Sequence, residues 1–215
     1  MKFLITAGPT REHLDDVRFL SNASSGRMGY AIARAAARAG HQVHLVSGPV
    51  SLLPPPGVHL IRVTSTEEMH RACARLFPKV DCLIGAAAPA DYTPVERARG
   101  KSKKGPGVRT LRLKPTVDIL ATLGARKKRQ VIIAFALEVQ NALRNARKKL
   151  VKKNADAILL NSPETMGAAR ASGLIMARNG SQLPFRNLTK AQIGRRLVRL
   201  AEELAGERPA PTAGR

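Results

Sequence analysis

The sequence predicts an α/β fold: a parallel sheet with helices on both faces, plus a C-terminal β-hairpin and helix. Two observations carry this. Short apolar runs of strand length alternate with helical segments through most of the 215 residues, the pattern of successive strand–helix units. The run Val80 to Ala86 is apolar on both faces, as a strand covered by helices on two sides must be. Together they give a Rossmann-like parallel sheet, whose ligands bind at the carboxyl ends of the strands.

Phe3 to Ala7 reads as the first buried strand. After Gly8-Pro9 a polar loop leads to Ser24-Ser25-Gly26, which opens a helix at about Arg27. Strand-to-helix connections usually take ~2–6 residues, and a much longer one tends to be functional. The helix, Met28 to Ala39, ends at Gly40, and Gly29 lets it pack closely on the sheet. Val43 to Ser47 is the second strand and leads into the proline-rich stretch Leu53 to Gly57; Val58 to Val63 is the third. Ser65 with Glu68 forms a capping box for a helix to about Leu76. The fourth strand is Val80 to Ala86, and the hydrophilic stretch Pro94 to Gly107 reads as a mobile loop.

Thr110 to Leu113 reads as a short strand, and Asp118 to Leu123 begins a helix. Val131 to Phe135 is a strand, Asn141 to Lys153 a helix and Ala157 to Leu160 another strand. Leu174 to Ala177 and Leu183 to Phe185 form a hairpin on Asn179-Gly180. Thr189 with Gln192 is a second capping box, opening a helix to about Leu204. Residues 1–205 make a single domain, and 206–215, rich in Pro, Gly and Ala, a disordered tail. No internal repeat is present.

Thirty-seven basic residues stand against 15 acidic ones, a formal charge of +22. That balance favours anionic partners such as nucleotides and phosphorylated metabolites, though part of it serves solubility alone. No Trp, two Tyr and five Phe are too few aromatics for the stacking platforms of single-strand binders. Cys73 and Cys82 lie in apolar segments without metal-ligand spacing, as buried thiols in a reducing compartment would. The N-terminus lacks the form of a secretory signal and no run is long enough to span a membrane, so a cytoplasmic location is expected.

Three features can carry chemistry. Ser24, Ser25 and Gly26 would aim two hydroxyls and backbone N–H groups at whatever lies before the helix, an anion site; equally, a serine there merely caps it. The fourth strand ends in Gly85, Ala86, Ala87, Ala88, Pro89, Ala90 and Asp91, where small residues admit either a ligand or a neighbouring helix. Lys149 and Lys153 stand four apart on one helix face, either as solvated lysines or as a triphosphate clamp. No Gly-x-Gly-x-x-Gly follows the first strand and no Gly-Lys-Ser/Thr loop is present. Five scattered histidines pair with no ligand set. Catalysis would therefore rest on positioning and on charge stabilisation by Lys, Arg and N–H groups.

Thr6-Ala7-Gly8-Pro9-Thr10-Arg11-Glu12, followed by Arg18-Phe19-Leu20-Ser21-Asn22-Ala23-Ser24-Ser25-Gly26-Arg27-Met28-Gly29, resembles the opening signature of bacterial phosphopantothenoylcysteine synthetase. The resemblance extends from Phe3 to about Ser162. It implies a ligase of coenzyme A biosynthesis that joins 4'-phosphopantothenate to L-cysteine. CTP is the cosubstrate, Mg²⁺ accompanies it, and an acyl-cytidylate is the intermediate. By that resemblance Asn22 holds the acyl-cytidylate, Arg18 supports its loop, and Ser24, Ser25 and Gly26 cradle the substrate phosphate. Gly85, Ala86 and Ala87 line the nucleotide crevice and Asp91 fixes the nucleoside. Phe135 and the turn Val117, Asp118, Ile119 and Leu120 flank it, and Lys149 and Lys153 contact the triphosphate. Lys101 is the flap lysine. The metal ligands are unknown. The resemblance further implies a homodimer, a stand-alone synthetase without a decarboxylase half, and no flavin.

Several family motifs are altered. A-A-V-A-D is here Ala87-Ala88-Pro89-Ala90-Asp91, K-I-K-K is Lys101-Ser102-Lys103-Lys104, and N-P-D-I is Thr116-Val117-Asp118-Ile119. F-A-A-E-T is Phe135-Ala136-Leu137-Glu138-Val139, and A-N-D-V is Leu160-Asn161-Ser162-Pro163. Charged contacts persist while backbone-shaping residues change, which bears on nucleotide choice and efficiency more than on reaction class. Two other functions fit parts of the chain. An NAD(P)-type reductase would use the same crevice but lacks its glycine-rich first turn. A basic nucleic-acid-binding module would explain the charge but neither the long first loop nor the small-residue strand end.

Overall fold

The computed structural model describes residues 1–137, 141–161 and 168–207. Its centre is an eight-stranded sheet in the order β12-β11-β10-β9-β6-β1-β4-β5. Six strands are parallel: β1 (Lys2–Ala7), β4 (Gln42–Ser47), β5 (Val58–Arg62), β6 (Cys82–Gly85), β9 (Val131–Leu137) and β10 (Ala157–Asn161). Numbered along the chain, these six run 3-2-1-4-5-6, the doubly wound order. The order reverses between β1 and β6, so a crevice opens at their carboxyl ends. The antiparallel hairpin β11 (Arg170–Ala177) and β12 (Gln182–Thr189) extends the sheet beside β10.

The helices follow from the sequence pattern. Helices α1 (Arg27–Arg38) and α5 (Lys190–Gly206) cover one face, and Ile32, Ala36, Ile193 and Leu197 pack there against Phe3, Ile5 and Ile133. Helices α2 (Thr66–Leu76), α3 (Ile119–Ala125) and α4 (Ala142–Lys152) cover the other, with Met69, Leu123 and Ala146 packed near Leu4, Leu83 and Ile132. Burial on two faces is why the central strands are apolar throughout. A Cβ on Gly29 would come within 2.5 Å of the Ala7 Cβ, so this glycine sets the approach of α1 to β1. The Thr189 cap is complete, with both reciprocal bonds to Gln192. Ser65 caps α2 through the Glu68 N–H, while the Glu68 carboxylate takes the N–H of Thr64.

Three expectations are corrected. The loop before α1 is not plain coil: Arg11–His13 (β2) and Phe19–Ser21 (β3) pair as an antiparallel ribbon. The strand expected at Thr110 to Leu113 lies at Leu113–Pro115 (β8), where it pairs with Tyr92–Pro94 (β7). This second ribbon claims the start of the stretch expected to be mobile. Helix α5 runs to Gly206, inside the expected tail, and 208–215 lie outside the described residues. Among the described residues no helix is long and apolar enough to cross a membrane.

Candidate functional site at the strand ends

Two cavities adjoin at the carboxyl ends of β1, β6 and β9. The larger, about 440 Å³, opens against the first turn of α1 and is lined by Asn22, Ser24, Ser25, Gly26, Ala86 and Lys190, among others. The smaller, about 230 Å³, lies against α3 and is lined by Gly85, Val117, Asp118, Ile119, Leu120 and Lys153, among others. Ala87, Asp91 and Phe135 line both. These three residues form a shared wall at which the two cavities adjoin.

The α1 cavity is built on an open helix end. Gly26 takes the N-cap position with φ 73°, a left-handed conformation that favours glycine, and no side chain caps the helix. A serine cap is therefore absent: the Ser24 Oγ reaches only the Gly26 N–H, at 3.5 Å. The first-turn N–H groups thus face the cavity without a side-chain acceptor, an arrangement that favours an anion. Asn22 is exposed in the same cavity, and its Nδ2 donates to the carbonyls of Ala88, 3.2 Å, and Pro89, 2.9 Å. Two carbonyl acceptors fix the orientation of the amide, which leaves its Oδ1 without a described donor.

Two cations outside the expected site residues join this cavity, and one of them, Lys190, comes from a position no local motif signals. Arg27 and Lys190 both line it, and neither makes an ion pair with a described residue. Burial, then the neighbouring Arg27 charge, holds the Lys190 ammonium below its ordinary value of 10.5. Asn161 lines the cavity too, and its buried Oδ1 accepts no hydrogen bond from a described residue.

The α3 cavity carries its own counter-charge. Asp118 caps α3 by accepting the Ala121 N–H at 3.1 Å, and its carboxylate meets Lys153 Nζ at 3.0 Å. Burial opposes its ionisation, but the Lys153 and Ala121 bonds outweigh it and hold the carboxyl below its ordinary 3.8. Gly85 turns out to be a packing residue, since a Cβ there would meet Leu120 Cδ1 at 2.7 Å. Ala86 lines the α1 cavity and Ala87 lines both.

Beneath the shared wall runs a buried chain of hydroxyls. The Ala90 N–H donates to Thr10 Oγ1 at 2.9 Å, Thr10 meets Thr66 Oγ1 at 2.8 Å, and Thr66 donates to the Glu12 carboxylate at 2.8 Å. Thr116 Oγ1 donates to the Ala90 carbonyl at 2.6 Å, so both backbone groups of Ala90 are tied. Glu12, 6% exposed, is satisfied by the Thr66 hydroxyl and N–H at the start of α2.

Three expected site residues line neither cavity: Arg18, Lys101 and Lys149. Arg18 instead reaches Asp15 at 3.4 Å, and Lys101 is exposed on the segment between the two strands of the second ribbon. Lys153 lies just past the end of α4, and of the expected pair Lys149 and Lys153 it alone lines the α3 cavity.

The model of the DNA/pantothenate metabolism flavoprotein C-terminal domain matches residues 1–204. The chain belongs to that family. This bears out the resemblance to a phosphopantothenoylcysteine synthetase domain. The coenzyme A biosynthesis bifunctional protein CoaBC of Bacillus subtilis is 48% identical over 166 residues, 77% of this chain and 41% of its own length. The crystal structure of the C-terminal domain of a CoaBC protein is 39% identical, with a TM-score of 0.85 over 96% of both chains. The structure of Cab2 in complex with phosphopantothenate-cysteine shares the fold, with a TM-score of 0.77 at 16% identity over 95% of this chain and 87% of that one. The chain spans about half the length of the curated relatives it matches.

Proposed function

We propose that the chain is a ligase that joins 4'-phosphopantothenate to L-cysteine at the expense of CTP. The observation that carries this is the pair of cavities with a common wall of Ala87, Asp91 and Phe135. Phosphopantothenate occupies the α1 cavity, its phosphate at Ser24, Ser25, Gly26 and the first turn of α1. CTP occupies the α3 cavity, with Asp91 and the segment Val117 to Leu120 at the nucleoside and Lys153 at the phosphates, Lys149 behind it. The pantothenate carboxylate oxygen attacks the α-phosphorus, the bond from that phosphorus to the bridging oxygen breaks, and pyrophosphate leaves. The cysteine amine then attacks the acyl carbon, the carbon–oxygen bond to phosphate breaks, CMP leaves and the amide remains.

The role of each residue follows from charge. Bringing two polyanions together costs Coulomb energy, which Lys101, Lys153 and Lys190 offset. Asn22 is neutral and cannot protonate a mixed anhydride; with its Nδ2 held by Ala88 and Pro89, its free Oδ1 accepts from an N–H of the acyl group or of the incoming cysteine amine. Among the described residues no group of three or more His, Cys, Asp or Glu could hold a metal. Mg²⁺ enters on the triphosphate, whose oxygens supply ligands beside water. A homodimer, a cytoplasmic location and a flavin-free reaction belong to the same proposal.

The test is pyrophosphate release from CTP, Mg²⁺ and phosphopantothenate, followed by cysteine and mass detection of the amide. Release that requires phosphopantothenate, then amide and CMP on adding cysteine, is expected, with ATP a poorer donor. Absence of release with either triphosphate overturns the proposal. A thermal-shift panel with NADPH and an oligonucleotide separates the reductase and nucleic-acid functions, since a tight ligand stabilises by a few kcal/mol (~3) well above its Kd.

A further inference from the structure

We infer that Asp15 and Asp16 are positioning residues that latch the Lys101 segment onto the loop that carries Asn22. The turn between β2 and β3 and the segment after β7 touch through five hydrogen bonds. The Ala98 N–H donates to the Leu14 carbonyl at 3.0 Å, and the Asp16 N–H to the Gly100 carbonyl at 3.4 Å. The Gly100 N–H donates to one Asp16 carboxylate oxygen at 2.8 Å, and Arg97 Nη2 to the other at 2.9 Å. The Ser102 N–H donates to Asp15 Oδ2 at 3.2 Å.

The two amides held by carboxylates are the neighbours of Lys101 on either side. Residues 103–108 beyond them are exposed. The latch therefore sits at the root of the segment, with a free tip ahead of it.

The chemistry of Asp15 fits a permanent latch. It is 1% exposed, yet its carboxylate receives the N–H groups of Arg18 and Val17, the Arg18 guanidinium and the Ser102 N–H. Those donors, Arg18 first, hold its carboxyl far below the ordinary 3.8. Arg18 thus completes the shell of Asp15 and touches neither cavity, which gives its supporting role a physical form. From Arg18 the chain runs through β3 to Asn22. One turn consequently fixes the residue proposed for pyrophosphate release and the residue proposed for amide formation.

This inference rests on the proposed role of Lys101, and the experiment separates the two. Asp16 is exposed, so Asp16→Ala is expected to fold. Hydrogen exchange at the Gly100 amide should quicken roughly ten- to a hundredfold, the worth of a hydrogen bond to a charged group. The kcat of pyrophosphate release should fall by a similar factor with the KM for phosphopantothenate unchanged, and Asp16→Asn should restore part of both. In a Lys101→Ala background, Asp16→Ala should cost nothing further, because a residue acting only through Lys101 is not additive with it. Unchanged exchange overturns the latch. Faster exchange with unaltered release, or losses that add in the double variant, overturns the coupling to Lys101. Failure of the ligase proposal shows earlier, as absent release from the unsubstituted chain.

Discussion

The two cavities share a wall but differ in how their charge is balanced. In the α3 cavity Lys153 already has a carboxylate, Asp118, at 3.0 Å. In the α1 cavity Arg27 and Lys190 stand at an uncapped helix end and form no ion pair with a described residue, and the shared Asp91 is the one carboxylate among its lining residues. Cations and a helix N-terminus repel one another and gain most from an incoming anion. The α1 side is therefore set for a compact dianion such as a phosphate monoester. On the α3 side a ligand phosphate must compete with Asp118, which suits a longer anion whose charge is shared with Mg²⁺.

The largest effect on this contrast should come at the wall. Asn22→Ala removes the amide that bridges Ala88, Pro89 and the α1 cavity. Pyrophosphate release should continue while amide formation slows by ~10²–10³, the usual cost of losing one aligned donor or acceptor. Rapid-quench separation of the two steps decides it, and amide turnover at the unsubstituted rate would remove Asn22 from the chemistry. Next in size is Lys190→Met, which keeps the stem and deletes the charge. The KM for phosphopantothenate should rise roughly tenfold or more. Preference over unphosphorylated pantothenate should narrow by the same factor, with the KM for CTP unmoved. An equal rise for both substrates would mean that Lys190 shapes the cavity and does not read the phosphate.

How much of this was legible in the chain depends on how local the signal is. The parallel strands and the helices were legible because burial on one stripe or two faces writes itself into periodicity. The β2–β3 ribbon was not: its strands have three residues each, and what holds them is tertiary. Glu12 is buried against α2, and the Arg11 guanidinium lies 4.4 Å above the Phe19 ring. Of the lining residues, Asn22, Ser24, Ser25, Gly26, Gly85, Ala86, Ala87, Asp91 and Val117 to Leu120 were expected, Asn22, Asp91 and Val117 to Leu120 through the family resemblance alone. Lys190 had no such signal, since it reaches the cavity only because α5 packs beside α1. The Lys149–Lys153 spacing holds, since the Lys153 N–H bonds the Lys149 carbonyl at 2.9 Å, but of this pair Lys153 is the one that lines the α3 cavity and meets Asp118.

A smaller effect tests the α3 side directly. Asp118→Asn keeps an acceptor for the Ala121 N–H, so the cap survives, but it frees Lys153. The KM for CTP should fall by a factor of a few, about 0.5–1 kcal/mol for a partly exposed pair. A rise would show that the Asp118 carboxylate itself holds the nucleoside, and the contrast between the cavities would then lie in hydrogen bonding more than in charge.

The same pair predicts the pH dependence with a definite sign. The Asp118 carboxyl is depressed in the folded chain, so its contribution to stability is fully present above the ordinary value of 3.8 and is lost as pH falls through the lowered one. Subtracting the stability of Asp118→Asn from that of the unsubstituted chain should therefore give a small positive difference at pH 7, no more than about 1 kcal/mol given its exposure. That difference should shrink toward zero in acid below 3.8. Denaturant titrations of both proteins across that range measure it. A difference that stays constant into acid would show that neither the Lys153 pair nor the Ala121 cap bond carries the effect, because both depend on the carboxylate charge.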